Sequence, residues 1–99
     1  MDDISGNMAE FVEKTFLIKN KLGLHARAAS MFVQVASGFE SDIFIVKNDH
    51  EVNGKSIMGI LILAAPKGVE ITVRAKGSDA EDAVTALGKL IEDRFGEEQ

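Results

Sequence analysis

Apolar residues recur with two different periods along this 99-residue chain, and the switching between them constrains the fold more than any other feature. Ile71, Val73 and Ala75 alternate with Thr72, Arg74 and Lys76, the period of two that belongs to a strand with one buried face. From Ala26 onward the pattern is helical, because Ala29, Phe32, Val33 and Ala36 fall on one face, and Gly38 followed by Phe39 supplies a stop. Ala80, Ala83, Val84, Leu87 and Ile91 form a second helical stripe, introduced by the capping-box spacing of Ser78 and Glu81 and ended by Gly96. A chain of this length has room for a single two-layer core, so strands and helices must share it.

The remaining segments complete the pattern. Phe16 and Ile18 alternate with Leu17 and Lys19 in a short strand that ends in the loop Asn20-Lys21-Leu22-Gly23. Ile43 to Lys47 and His50 to Asn53 flank Asn48-Asp49, two residues that tolerate positive φ, which predicts a tight hairpin. Residues 57–63 are apolar throughout, and periodicity alone does not separate a buried strand from a helix there. Ser56 as an N-cap and Pro66-Lys67-Gly68 as a terminator favour a short helix. The order is β-α-β-β-α-β-α. Residues 1–12 lack sustained periodicity and are expected to form a flexible extension, with the domain over 13–96 and an acidic tail over 97–99.

Composition narrows the function. With 45% hydrophobic and 27% charged residues the chain has a globular composition, and no 18-residue apolar stretch offers a membrane span. The absence of cysteine removes thiolate chemistry, and a start of Met1-Asp2-Asp3 lacks the basic and apolar regions of a signal peptide, so the cytoplasm is the expected compartment. A net charge of −5 argues against nonspecific nucleic-acid binding and favours protein partners. Two histidines far apart give no zinc-ligand spacing, and His50, in the hairpin, is expected to be solvated.

Chemistry concentrates at Leu24-His25-Ala26-Arg27, where a histidine and an arginine open the first helical pattern just after Gly23. The first-turn amides of a helix lack intrahelical acceptors and carry partial positive charge, so an anion on the His25 side chain would meet free donors. An imidazole nitrogen is nucleophilic near neutral pH, and the Arg27 guanidinium can grip phosphate oxygens in a planar fork. Asn53-Gly54-Lys55-Ser56-Ile57-Met58-Gly59 places a second phosphorylatable side chain, Ser56, at another helix start. Ile57, Met58 and Leu61 belong to a helix too apolar all round to bury every side, so part of it must face solvent.

These two motifs, with residues from about Phe16 to Phe95, resemble the histidine-containing phosphocarrier (HPr) family of the bacterial phosphoenolpyruvate:sugar phosphotransferase system and its nitrogen-related variant. The resemblance implies an α+β open-faced sandwich, with a four-stranded antiparallel sheet in the order 1-4-2-3 and three helices on one face. It implies that Nδ1 of His25 accepts a phosphoryl group from enzyme I and passes it to IIA-type proteins, and that Arg27 stabilises the transferred group. By the same resemblance Ser56 is a regulatory site for an HPr kinase/phosphorylase, and Ile57, Met58 and Leu61 form part of the docking surface. The implied protein is a monomeric substrate of enzymes, neither an enzyme itself nor a binder of cofactor or metal. The alternative within the family is a mainly regulatory phosphoprotein acting through phosphorylation-dependent binding, and outside it an α/β enzyme using His25 as a general base. The chain departs from the family at Ala28, where proline is usual, and at Gln34 and Ser37, where basic residues are common.

Overall fold

The computed structural model describes residues 11–99. Strand β1 (Val12–Leu17) leads to helix α1 (Ala26–Ala36), then to β2 (Asp42–Lys47) and β3 (His50–Asn53), helix α2 (Ile57–Leu63), β4 (Glu70–Lys76) and helix α3 (Ala80–Glu92). A 3₁₀ turn, Arg94–Gly96, follows. The four strands form one antiparallel sheet in the order β1-β4-β2-β3, the order that the family resemblance implies.

Register explains the buried layer. Phe16 pairs with Ile71, Ile43 with Ala75 and Ile45 with Val73, so the side chains that alternate along β4 meet those of β1 and β2 on the same face. On that face lie the helical stripes, Ala28, Ala29, Phe32 and Ala36 from α1, Ile60 and Leu63 from α2, and Ala83, Val84, Leu87 and Ile91 from α3. The opposite face mixes polar side chains with Leu17, Phe44 and Val46. Thr15 and Thr72 share a hydroxyl bond across β1 and β4, and Arg74 lies between Glu13, Glu51 and the ring of Phe11.

The ambiguous run 57–63 is a helix, and Ser56 is its N-cap, the hydroxyl accepting the Gly59 amide at 3.0 Å. At its other end Ala64 adopts φ +54°, and the Lys47 ammonium donates to the carbonyls of Leu63 and Ala64. The hairpin turn between β2 and β3 uses Asn48 at φ +54°, as its sequence predicts.

Two expectations change. The capping box of Ser78 and Glu81 does not form, since Asp79 is the N-cap of α3 and makes no side-chain cap bond. Its carboxylate instead accepts from the Ser41 hydroxyl and from the amides of Glu40 and Ser41, which hold it below the usual aspartate value. Of the extension expected over 1–12, residues 1–10 lie outside the described residues, but Val12 is already paired with Ala75 and Phe11 packs edge-on against Phe44. Alternation is too short there to reveal a strand whose first four residues are mostly exposed.

Gly88 lets α3 approach the sheet. A Cβ at this position would lie 2.5 Å from Cζ and 2.6 Å from Cε1 of Phe16. Gly88→Ala improves helix propensity by about 1 kcal/mol, but displacing a buried ring costs roughly 1–3 kcal/mol. A net destabilisation is therefore expected in urea unfolding, and Phe16→Leu in the same chain should recover part of it.

Candidate functional site

The loop before α1 is fixed by close backbone approach. Gly23 sits at φ +70°, and a Cβ there would fall 2.6 Å from the Ala65 carbonyl oxygen and 2.8 Å from Pro66 Cα. Glycine is required on both counts. The amide of Leu24 donates to Ala65 O at 2.9 Å, joining this loop to the chain leaving α2, and the fully buried Asn20 donates from Nδ2 to Gly23 O at 2.8 Å.

His25 is thereby set as the N-cap of α1. Its backbone is extended (φ −83°, ψ −178°), its carbonyl accepts the Ala29 amide, and its side chain does not cap the helix. The imidazole is free to project outward, and it remains 26% exposed. Arg27, one position into the helix, is 56% exposed. Ala28 is fully buried, so the methyl group at the family's proline position packs into the core.

The tail closes the site. After α3, Arg94, Phe95 and Gly96 take positive φ values of 57°, 54° and 76° in succession, which turns the chain back toward the start of α1. Left-handed backbone at two non-glycine residues costs on the order of 1–3 kcal/mol each. Full burial of the Phe95 ring offsets part of that cost, and Gln99 O accepts the Lys21 amide at 2.8 Å.

This path delivers Glu97 to His25. Glu97 Oε2 is hydrogen-bonded to Nε2 of His25 and lies 3.3 Å from Nη1 of Arg27, while its Oε1 accepts from Nδ2 of Asn20 at 3.1 Å. Arg27 Nη1 also donates to the Phe95 carbonyl at 3.2 Å. Lys21, Leu22, His25, Arg27, Glu97 and Gln99 line one shallow concavity. Burial by itself would raise the Glu97 carboxyl, but hydrogen bonds from His25 and Asn20 and the charges of His25 and Arg27 outweigh it and hold the carboxyl below the ordinary glutamate value.

The structure thus brings His25 and Arg27 together through a carboxylate that sequence reasoning assigned only to an acidic tail. No periodicity marks Glu97, and the glycine before it signals a turn but not its destination. Ser56 lies apart, at the start of α2. Ile57, Met58 and Leu61 are exposed as expected, and the structure adds Leu22 and Ile62, which are 65% and 72% exposed. With α2 packed beside α1, only Ile60 and Leu63 of that helix reach the core. His50 is exposed in the hairpin.

A family model described as the PTS HPr component phosphorylation site matches residues 12–93. The chain belongs to the HPr family. A phosphocarrier protein HPr of Neisseria meningitidis is 50% identical over 86 residues, covering 87% of this chain and 97% of the relative, and one from Treponema pallidum is 41% identical over 87 residues, covering 88% and 99%. A crystal structure of HPr from Thermoanaerobacter tengcongensis superposes with a TM-score of 0.86 at 51% identity, covering 89% of this chain and 99% of the other. HPr from Bacillus anthracis gives 0.79 at 48% identity, covering 82% and 96%. The family-model match ends at residue 93, four positions before Glu97. Among the described residues no helix is long and apolar enough to cross a membrane.

A depressed carboxyl stabilises the docked tail at neutral pH, and that contribution fades as pH falls through the lowered folded-state value, where the carboxylate takes up a proton. Carbon-13 NMR titration of Glu97 should give a midpoint below the ordinary glutamate value, and Arg27→Ala should move it upward.

Proposed function

We propose that this protein is a carrier in the phosphotransferase system, accepting a phosphoryl group from enzyme I on Nδ1 of His25 and passing it to IIA-type proteins in the cytoplasm. The observation that carries this reading is the placement of His25 at the N-cap of α1. Its imidazole projects from a helix start whose first-turn amides lack intrahelical acceptors, with Arg27 on the same rim. The phosphoramidate formed keeps a high transfer potential, which suits a relay between histidines. A carrier of this kind is a substrate of its partner enzymes and needs no cofactor of its own.

Exposed Leu22, Ile57, Met58, Leu61 and Ile62 supply apolar area for docking, and methionine adapts to several partners. Gln34 and Ser37, both exposed, put no positive charge on α1, so docking rests on apolar contact more than on charge. Ser56 supports a second, regulatory layer through an HPr kinase/phosphorylase. A phosphate on this N-cap adds about −1.5 to −2 charges at the favourable end of α2, leaving the helix intact while changing the rim of the apolar surface.

His25→Ala is expected to abolish acid-labile phosphorylation by phosphoenolpyruvate and enzyme I while leaving the circular dichroism spectrum unchanged; label persisting on the variant refutes the assignment. Arg27→Ala removes charge-assisted bonds worth about 1.5–3 kcal/mol, so single-turnover transfer should slow roughly ten- to a hundredfold. Protein phosphorylated on Ser56 should accept phosphate at His25 more slowly, with the loss mainly in apparent affinity for enzyme I. Equal rates at every enzyme I concentration would leave Ser56 as a helix cap alone.

A further inference from the structure

Glu97 is bonded to the side chain proposed as nucleophile, yet it carries the same sign of charge as the incoming phosphoryl group. A carboxylate there either obstructs the reaction or serves it. The geometry favours service, because Glu97 contacts Nε2, the ring nitrogen opposite the proposed point of attack. We propose that Glu97 is a positioning residue for His25: its carboxylate accepts a hydrogen bond from Nε2–H, so that Nδ1 carries the lone pair, and then faces the positive ring that transfer creates. This role rests on the reading of His25 as phosphoryl acceptor.

In the step itself, the Nδ1 lone pair forms the bond to phosphorus while the bond from phosphorus to the donor's leaving atom breaks, and that electron pair departs with the donor. Nε2 keeps its proton, so the imidazole becomes cationic, and a fixed anion beside it stabilises that charge as it develops. The same arrangement of carboxylate, imidazole and free ring nitrogen orients histidine in hydrolytic triads.

Several contacts hold the carboxylate in place. Its side chain is only 15% exposed. Buried Asn20 holds the other oxygen, the Phe95 ring anchors the turn, and Gln99 O is tied to the Lys21 amide. Among the described residues Arg27 reaches Phe95 O and Glu97 through Nη1, and its other N–H groups are the ones proposed to meet phosphate.

The test compares wild type, Glu97→Ala, Glu97→Gln and Glu98→Ala in single-turnover transfer from phosphorylated enzyme I, together with proton–nitrogen NMR of the His25 ring. Glu97→Ala should slow transfer about tenfold or more at saturating donor, the scale of a lost charge-assisted hydrogen bond, with the donor concentration at half-maximal rate unchanged. Its Nε2 proton signal should vanish into exchange with water. Glu97→Gln keeps an acceptor oxygen, so it should retain the Nε2 proton signal and react at an intermediate rate. Glu98→Ala, which removes the same charge from an exposed neighbour, should match wild type. Transfer to Glu97→Ala that is as fast as or faster than wild type overturns the role of Glu97 and leaves the carrier reading standing. Failure of the wild-type protein to take label on His25 overturns both.

Discussion

A sheet covered on one face only is the constraint from which the rest of this structure follows. Four short strands and three helices must bury one shared layer, so every strand needs its apolar residues on the same side. The pairings of Phe16 with Ile71 and of Ile45 with Val73 meet that requirement, and a slip of one residue in either would expose the layer. The uncovered face is accordingly furnished with a threonine pair and with Arg74 between two glutamates, groups that remain stable beside water.

The functional site grows out of the rim of that layer. Three segments distant in sequence meet there: the loop 20–25, the chain leaving α2 at Ala65 and Pro66, and the tail beyond α3. Gly23 allows the first two to touch, and the left-handed turn at residues 94–96 brings in the third. Side chains on such a rim gain rigidity from the core below while staying open to solvent above, which suits the proposed exchange of a phosphoryl group with partner proteins. Local backbone strain at Arg94 and Phe95 belongs to the same design, since it is spent on directing Glu97.

Much of this was legible in the residues. The period of two in 71–76 and the helical stripes of 26–36 and 80–91 appear in the structure as β4, α1 and α3, because burial of a single face imposes those spacings on any strand or helix in a two-layer domain. His25 at a helix start, Ser56 as a cap and the hairpin at Asn48 are local matters, settled within a few residues of chain. The helix at 57–63 was legible only through its flanks, since an apolar run fits either period.

Tertiary structure decided what local rules could not reach. Asp79 took the N-cap position expected for Ser78 and turned its carboxylate to the amides of residues 40 and 41, a choice made by the packing of α3 against the chain between α1 and β2. Glu97 looked like one charge among several in an acidic tail, and its meeting with His25, 72 positions away, depends on a turn whose direction is set by the burial of Phe95. Sequence by itself determined the elements, the covered face and the placement of His25 at a helix start, because each follows from spacing along a short stretch of chain. Only the folded chain determined which carboxylate stands behind that side chain, because contacts across such separations arise from packing and leave no period to read.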